Sequence, residues 1–120
     1  MERVERDNSW NYKGCIYLKR EETNGIHLEF TPEDMPAYEF GRERVGEGWL
    51  NTGYHYIIHP DGEIEKGIPE EQYADPSILD SRDCICILVM GVPPEGIAYW
   101  KKRIWPFAAK RLSTKLPLKD

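Results

Sequence analysis

The run from Asp83 to Met90 (DCICILVM) constrains the fold more than any other stretch of the chain. Its apolar residues fall on both alternating faces, so as an extended strand it has no side suited to water. A strand of this kind sits in the middle of a sheet with helices over each face. Gly91-Val92-Pro93-Pro94 ends it, because proline cannot donate to a ladder. One covering helix follows directly. Ile97, Trp100, Ile104, Ala108 and Leu112 recur at helical spacing, and Trp100 and Ile104 are expected against the sheet. Pro106 must kink or split that helix, since it lacks an N–H and crowds the preceding turn.

The remaining elements can be placed around this strand. Gly14 to Lys19 (GCIYLK) reads as a first strand and Arg20 to Gly25 as a polar turn. Ile26 to Phe30 alternates apolar and polar residues, as a short edge strand would. Thr31-Pro32-Glu33-Asp34-Met35-Pro36 starts a second helix with two candidate N-caps, Thr31 and Asp34. Pro36 favours Asp34, because proline is tolerated in the first helical turn, and the helix should reach about Val45. Tyr54 to His59, the turn Pro60-Asp61-Gly62 and the shorter return from Ile64 predict one long hairpin. Alternation puts Tyr54, Tyr56 and Ile58 on one face and His55, Ile57 and His59 on the other. Glu63 and Glu65 share a face of the return strand, the pattern of a solvated edge. Gly67 to Asp83 is an irregular segment with prolines at 69 and 76, long enough to border a site. The order gives an α/β fold, a mixed β-sheet flanked by helices, in a single domain over residues 1–120.

Composition narrows the function classes. No apolar run is long enough to span a bilayer, so no membrane partner is expected. Three cysteines, two of them in the apolar run, do not form a disulfide framework. With the charged opening MERVERDNSW, they point to a cytoplasmic protein. Residues 101–120 carry seven basic residues against Asp120, a balance of +6, while the rest carries nine basic and twenty acidic residues, a balance of −11. The basic segment is either a solvated helix face or a contact patch for an acidic partner. Nucleic acid is an unlikely partner, because the acidic remainder repels a phosphate backbone and Trp100, Trp105 and Phe107 are expected in the core. There is no glycine-rich phosphate loop and no nucleophile motif.

The string GWLNTGYHYIIHPDGEIEKGIPE, residues 48 to 70, resembles the central segment of the type 2 N-acetylmuramoyl-L-alanine amidases. That family includes the short phage lysozyme-amidases and the peptidoglycan recognition proteins. Its pattern is Gly-Trp, then Gly-Tyr-His-aromatic-apolar-Ile, then Asp-Gly and Gly-Arg-Pro, with Ile68 here where the family has Arg. The resemblance implies a reduced amidase-like domain. It also implies a zinc-bound water that attacks the amide between the muramoyl lactyl group and L-alanine, held by two His and a Cys or Asp.

Those ligands do not transfer. The first His of the family closes a strand in a pattern like Ile-His-His-Thr, and the matching stretch here is Ile16-Tyr17-Leu18-Lys19. The other two follow the last helix, where this sequence has Leu116 to Asp120. His55 and His59 would lie roughly 13 Å apart along an extended strand, too far to share one ion. Cys84 and Cys86 read as buried thiols, and His27 would be a displaced first ligand only if Ile26 to Phe30 were the family's first strand. No metal and no cofactor are therefore expected. Tyr54 falls where the family places the tyrosine that polarises the scissile carbonyl or positions the water, and it would be the catalytic residue of an active enzyme. Without a metal it is a packing residue under the groove. His55 is expected to satisfy a local hydrogen bond or to reach the ligand, and Trp49 is a core or groove-edge residue. Residues 74 to 83 do not reproduce the family's peptide-stem contacts.

The resulting expectation is a zinc-less, non-catalytic binding protein, phage or bacterial, that uses the former substrate groove. Its partner would be a small anionic ligand met by Lys19, Arg82, Tyr54, Trp49 and His55, or a protein that it inhibits. Arg in particular suits carboxylate or phosphate. The alternatives are an active cell-wall amidase with an unusual metal site, and an interaction module that docks through the basic C-terminal helix.

Overall fold

A computed structural model describes residues 6–7, 22–46, 53–74, 78 and 82–119. Its strands are β1 (Arg6–Asp7), β2 (Gly25–Thr31), β3 (Tyr56–Ile58), β4 (Ile64–Lys66) and β5 (Cys84–Met90). Its helices are α1 (Ala37–Gly46), α2 (Ile97–Arg103) and α3 (Trp105–Arg111), with a short 3-10 turn at Pro94–Gly96. The sheet order is β1-β4-β3-β5-β2. β5 runs parallel to both neighbours, and β3 and β4 form the antiparallel hairpin.

β5 is buried at every position, as its two-sided apolar pattern predicts. Ile85, Ile87 and Val89 pack with Ile26, Tyr56, Trp100 and Trp105 on the α2–α3 side. Cys86, Leu88 and Met90 pack with Ala37, Phe40, Tyr54 and Ile57 on the α1 side. Cys84 and Cys86 are buried thiols. The predicted break at Pro106 is the junction of α2 and α3, where Ile104 keeps helical backbone angles and its N–H still reaches Trp100 O at 2.8 Å. The junction turns Trp105 inward, so Ile104 is 39% exposed rather than packed on the sheet.

Several expectations need correction. Ile26 to Phe30 lies in the edge strand β2, as expected, but that strand is longer than expected: it has seven residues, all paired with β5. Its other edge is bridged by Leu118, with Ile26 N–H donating to Pro117 O and Lys119 N–H to Ile26 O. The hairpin strands are three residues each. Tyr54 does not alternate with Tyr56, because Gly53 sits at φ 88° and the chain bends at His55 before β3 begins. That bend sends Tyr54 to the α1 side. The predicted strand at 14–19 lies outside the described residues.

Asp34 does not cap α1. Its carboxylate turns to His59, and the first N–H of the helix, at Ala37, donates 2.7 Å to Glu65 Oε2 on β4. A carboxylate from the sheet therefore satisfies one of the helix's orphan donors and favours its positive end. At the hairpin tip, Gly91 adopts φ 76°, and a Cβ there would stand 2.4 Å from Pro60 Cγ. Only glycine lets the end of β5 pass this close to the turn.

Candidate functional site

The α1 face of β2 is polar where its other face is apolar. Ile26 and its partners Leu28 and Phe30 pack on the α2–α3 side, which leaves His27, Glu29 and Thr31 facing the other way. His27 Nε2 lies 2.8 Å from Glu29 Oε2, and the Tyr54 hydroxyl donates to Glu29 Oε1 at 2.6 Å. The tyrosine is 1% exposed and its ring lies 6.2 Å from that of Phe40. The Glu29 side chain is 38% exposed, so the carboxylate is the part of this constellation that a ligand can meet. A buried phenol and a half-buried imidazole hold it in one orientation.

His55 has a different place. It is fully buried, its Nδ1 accepts the Cys86 N–H at 2.9 Å, and its Nε2 lies 2.7 Å from Gln72 O. An acceptor at Nδ1 requires the proton on Nε2, which then donates to the carbonyl. His55 thus pins the 67–74 segment to β5, through partners 17 and 31 residues away rather than through the local hydrogen bond expected for it. Arg82 is exposed in the turn before β5. Lys19 and Trp49 lie outside the described residues.

A second polar cluster lies beyond β3 on the same sheet face. His59 Nδ1 is 2.7 Å from Asp34 Oδ1, and its Nε2 is 2.7 Å from Glu65 Oε2. Glu65 is completely buried and His59 nearly so, which corrects the expectation of a solvated edge. Burial by itself pushes the His59 pKa down, but the hydrogen bonds and charges of Asp34 and Glu65 outweigh it, and the net shift is upward from 6.5. His59 therefore lies between two carboxylates that favour its protonated form.

No family model matches the sequence. The chain is 38% identical over 55 residues to an endolysin of Klebsiella phage KP32, a match covering 42% of this chain and 36% of that protein. An endolysin of Enterobacteria phage K11 matches at 36% over the same length. Both matches thus take in well under two thirds of the relatives' own length. Among solved structures, the Ph2119 endolysin of a Thermus scotoductus bacteriophage superposes with a TM-score of 0.61 at 22% identity, covering 94% of this chain and 82% of that one. PGRP-Hd from Alvinella pompejana gives 0.59 at 20%, covering 88% and 77%. Drosophila PGRP-LB, as a mutant in complex with tracheal cytotoxin, gives 0.50 at 16%, covering 86% and 72%. The fold is that of the type 2 amidases and peptidoglycan recognition proteins.

The amidase fold implies a zinc ion near Tyr54, and the described residues there do not fit one. A catalytic zinc needs three protein ligands and an open position. Around the Tyr54 hydroxyl the described residues supply Glu29 and His27, already bonded to each other. The one converging set of three donor side chains among the described residues is His59, Glu63 and Glu65, at the hairpin. The His27-x-Glu29 alternation beside apolar Ile26, Leu28 and Phe30 was visible in the sequence, but nothing there linked it to Tyr54. The bend at Gly53 makes that link.

Proposed function

We propose that this amidase-like domain binds a peptidoglycan fragment at the Tyr54–Glu29–His27 cluster on β2, the place of the family's substrate groove, and does not hydrolyse it there. The observation that carries this reading is the Tyr54 hydroxyl, bound to Glu29 where an amidase would need it beside a metal. A carboxylate held by a phenol and an imidazole is an acceptor for ligand N–H and O–H groups, which muropeptides carry along the stem and on the sugar. A muropeptide also carries carboxylates, and exposed Arg82 is a partner for one of them. A phage or bacterial protein of this kind would sequester soluble fragments in the cytoplasm. The fold likeness to endolysins and to a PGRP complexed with tracheal cytotoxin supports the ligand class.

The test is calorimetric titration of N-acetylmuramoyl-L-alanyl-D-isoglutamine into wild type, Glu29→Ala and Tyr54→Phe. Wild type should bind 1:1. Glu29→Ala should weaken binding by about tenfold or more, the worth of one charge-assisted hydrogen bond, and Tyr54→Phe by less. Equal affinity for all three proteins would move the site away from this groove.

A second reading has its own observation. Tyr99 and Phe107 are 67% and 71% exposed on α2 and α3, in a segment where residues 97–119 contain no acidic side chain. Exposed aromatics among cations suit an acidic protein partner, so the domain would act by docking through this helix pair.

A further inference from the structure

The hairpin brings together a donor set that the groove does not use. The ligand atoms of His59, Glu63 and Glu65 lie within 4.8 Å of one another. These side chains are not the exposed acids of an ordinary surface: Glu65 is completely buried, His59 nearly so and Glu63 half-buried. The hairpin explains the convergence. His59 and Glu65 occupy the same sheet face on paired strands, and the turn between them returns Glu63 beside them, with the His59 N–H bonded to Glu63 O.

From this geometry we infer a divalent-cation site of the zinc class at the β3–β4 hairpin, with His59 Nε2 and the carboxylates of Glu65 and Glu63 as ligands and Asp34 orienting the imidazole. Asp34 Oδ1 lies 2.7 Å from Nδ1, so Nδ1 keeps its proton and Nε2 is directed at Glu65. A carboxylate behind a histidine is the arrangement that fixes ring and tautomer for a metal. Nε2 and Glu65 Oε2 then face each other at 2.7 Å. Two such lone-pair donors need a positive charge between them. A proton satisfies that pair alone, whereas a divalent ion also uses Glu63, which converges on the same point. One nitrogen, two carboxylates and an open fourth position suit zinc at about 2.0–2.2 Å once the His59–Glu65 pair opens from 2.7 Å and the Glu63 side chain swings in. Magnesium would demand octahedral oxygen ligation, which this set does not offer. The ion would tie the segment before α1, through Asp34, to the hairpin. The site stands apart from Tyr54 and does not depend on the muropeptide reading.

The experiment is calorimetric titration of ZnCl2 into full-length protein stripped of metal, with X-ray absorption on the loaded sample. Wild type should bind one Zn2+ with a nitrogen–oxygen shell near 2.0 Å. Glu63→Gln removes a ligand carboxylate at a half-buried position and keeps its size, so it should fold normally and bind at least tenfold more weakly. Asp34→Asn should weaken binding by about 10–100-fold, the usual cost of losing a supporting carboxylate. Magnesium should not compete. No saturable binding, Glu63→Gln binding as tightly as wild type, or a sulfur shell near 2.3 Å from the cysteines would each overturn the inference.

Discussion

Replacing His59 by alanine in metal-free protein should destabilise the domain far more than its loop position suggests. Glu65 is completely buried and accepts from His59 Nε2 and from the Ala37 N–H, each at 2.7 Å. The variant leaves that carboxylate with its backbone donor but without the His59 side of the ion pair. Removing one partner of a buried ion pair costs about 3–5 kcal/mol. The Asp34 side chain is 47% exposed, so losing its contact adds under about 1 kcal/mol. At roughly 3–5 °C per kcal/mol for a chain of this size, the melting midpoint should fall on the order of 10–20 °C. Thermal unfolding followed by circular dichroism near pH 6, with chelator present, reads the shift. The control is His59→Leu combined with Glu65→Leu. Replacing both charges by apolar side chains is often neutral or stabilising, so the double variant should recover most of the loss. A loss under about 1 kcal/mol in His59→Ala would refute the view that this pair is a buried, interdependent unit. So would a double variant no more stable than the single one.

Three further outcomes follow from the same geometry. His59 has a folded-state pKa above the unfolded 6.5, so its contribution is fully present below about pH 6.5 and is lost as pH rises through the folded value; urea titrations of chelated wild type should show this decline, and His59→Leu/Glu65→Leu should not. Gly91→Ala places a Cβ 2.4 Å from Pro60 Cγ at φ 76° and should cost about 1–3 kcal/mol in chemical unfolding, where an unchanged midpoint would mean the hairpin tip does not rest on β5. Ile87→Ala at the fully buried centre of β5 should cost about 2–5 kcal/mol, and a negligible change would contradict the central place of that strand.

The layer order was legible because it rests on patterns that survive packing. The two-sided apolar run at 84–90 admits one kind of strand, and helical spacing after Pro94 with a break at Pro106 leaves little freedom. Local positions set by distant partners were harder to read. Asp34 looked like a helix cap by its distance from Pro36, but a buried histidine competes for it from 25 residues away. Glu65 looked solvated because alternation reports which face a residue takes and not whether that face is covered. Tyr54 broke its alternation through a glycine at φ 88°, and that conformation decided which carboxylate it meets. The constellation at β2 was therefore spelled out in the sequence residue by residue, while its assembly was not.

Peptidoglycan-fragment binding without hydrolysis at this groove is tested most directly by recovering the ligand. N-acetylmuramoyl-L-alanyl-D-isoglutamine incubated with the protein, once with added Zn2+ and once with chelator, is separated from it and analysed by mass spectrometry. The ligand should be retained by the wild type, less so by Glu29→Ala, and recovered intact in both conditions. Separate N-acetylmuramic acid and L-alanyl-D-isoglutamine, formed by wild type with zinc and not by Tyr54→Phe, would contradict the account and make the domain an active amidase.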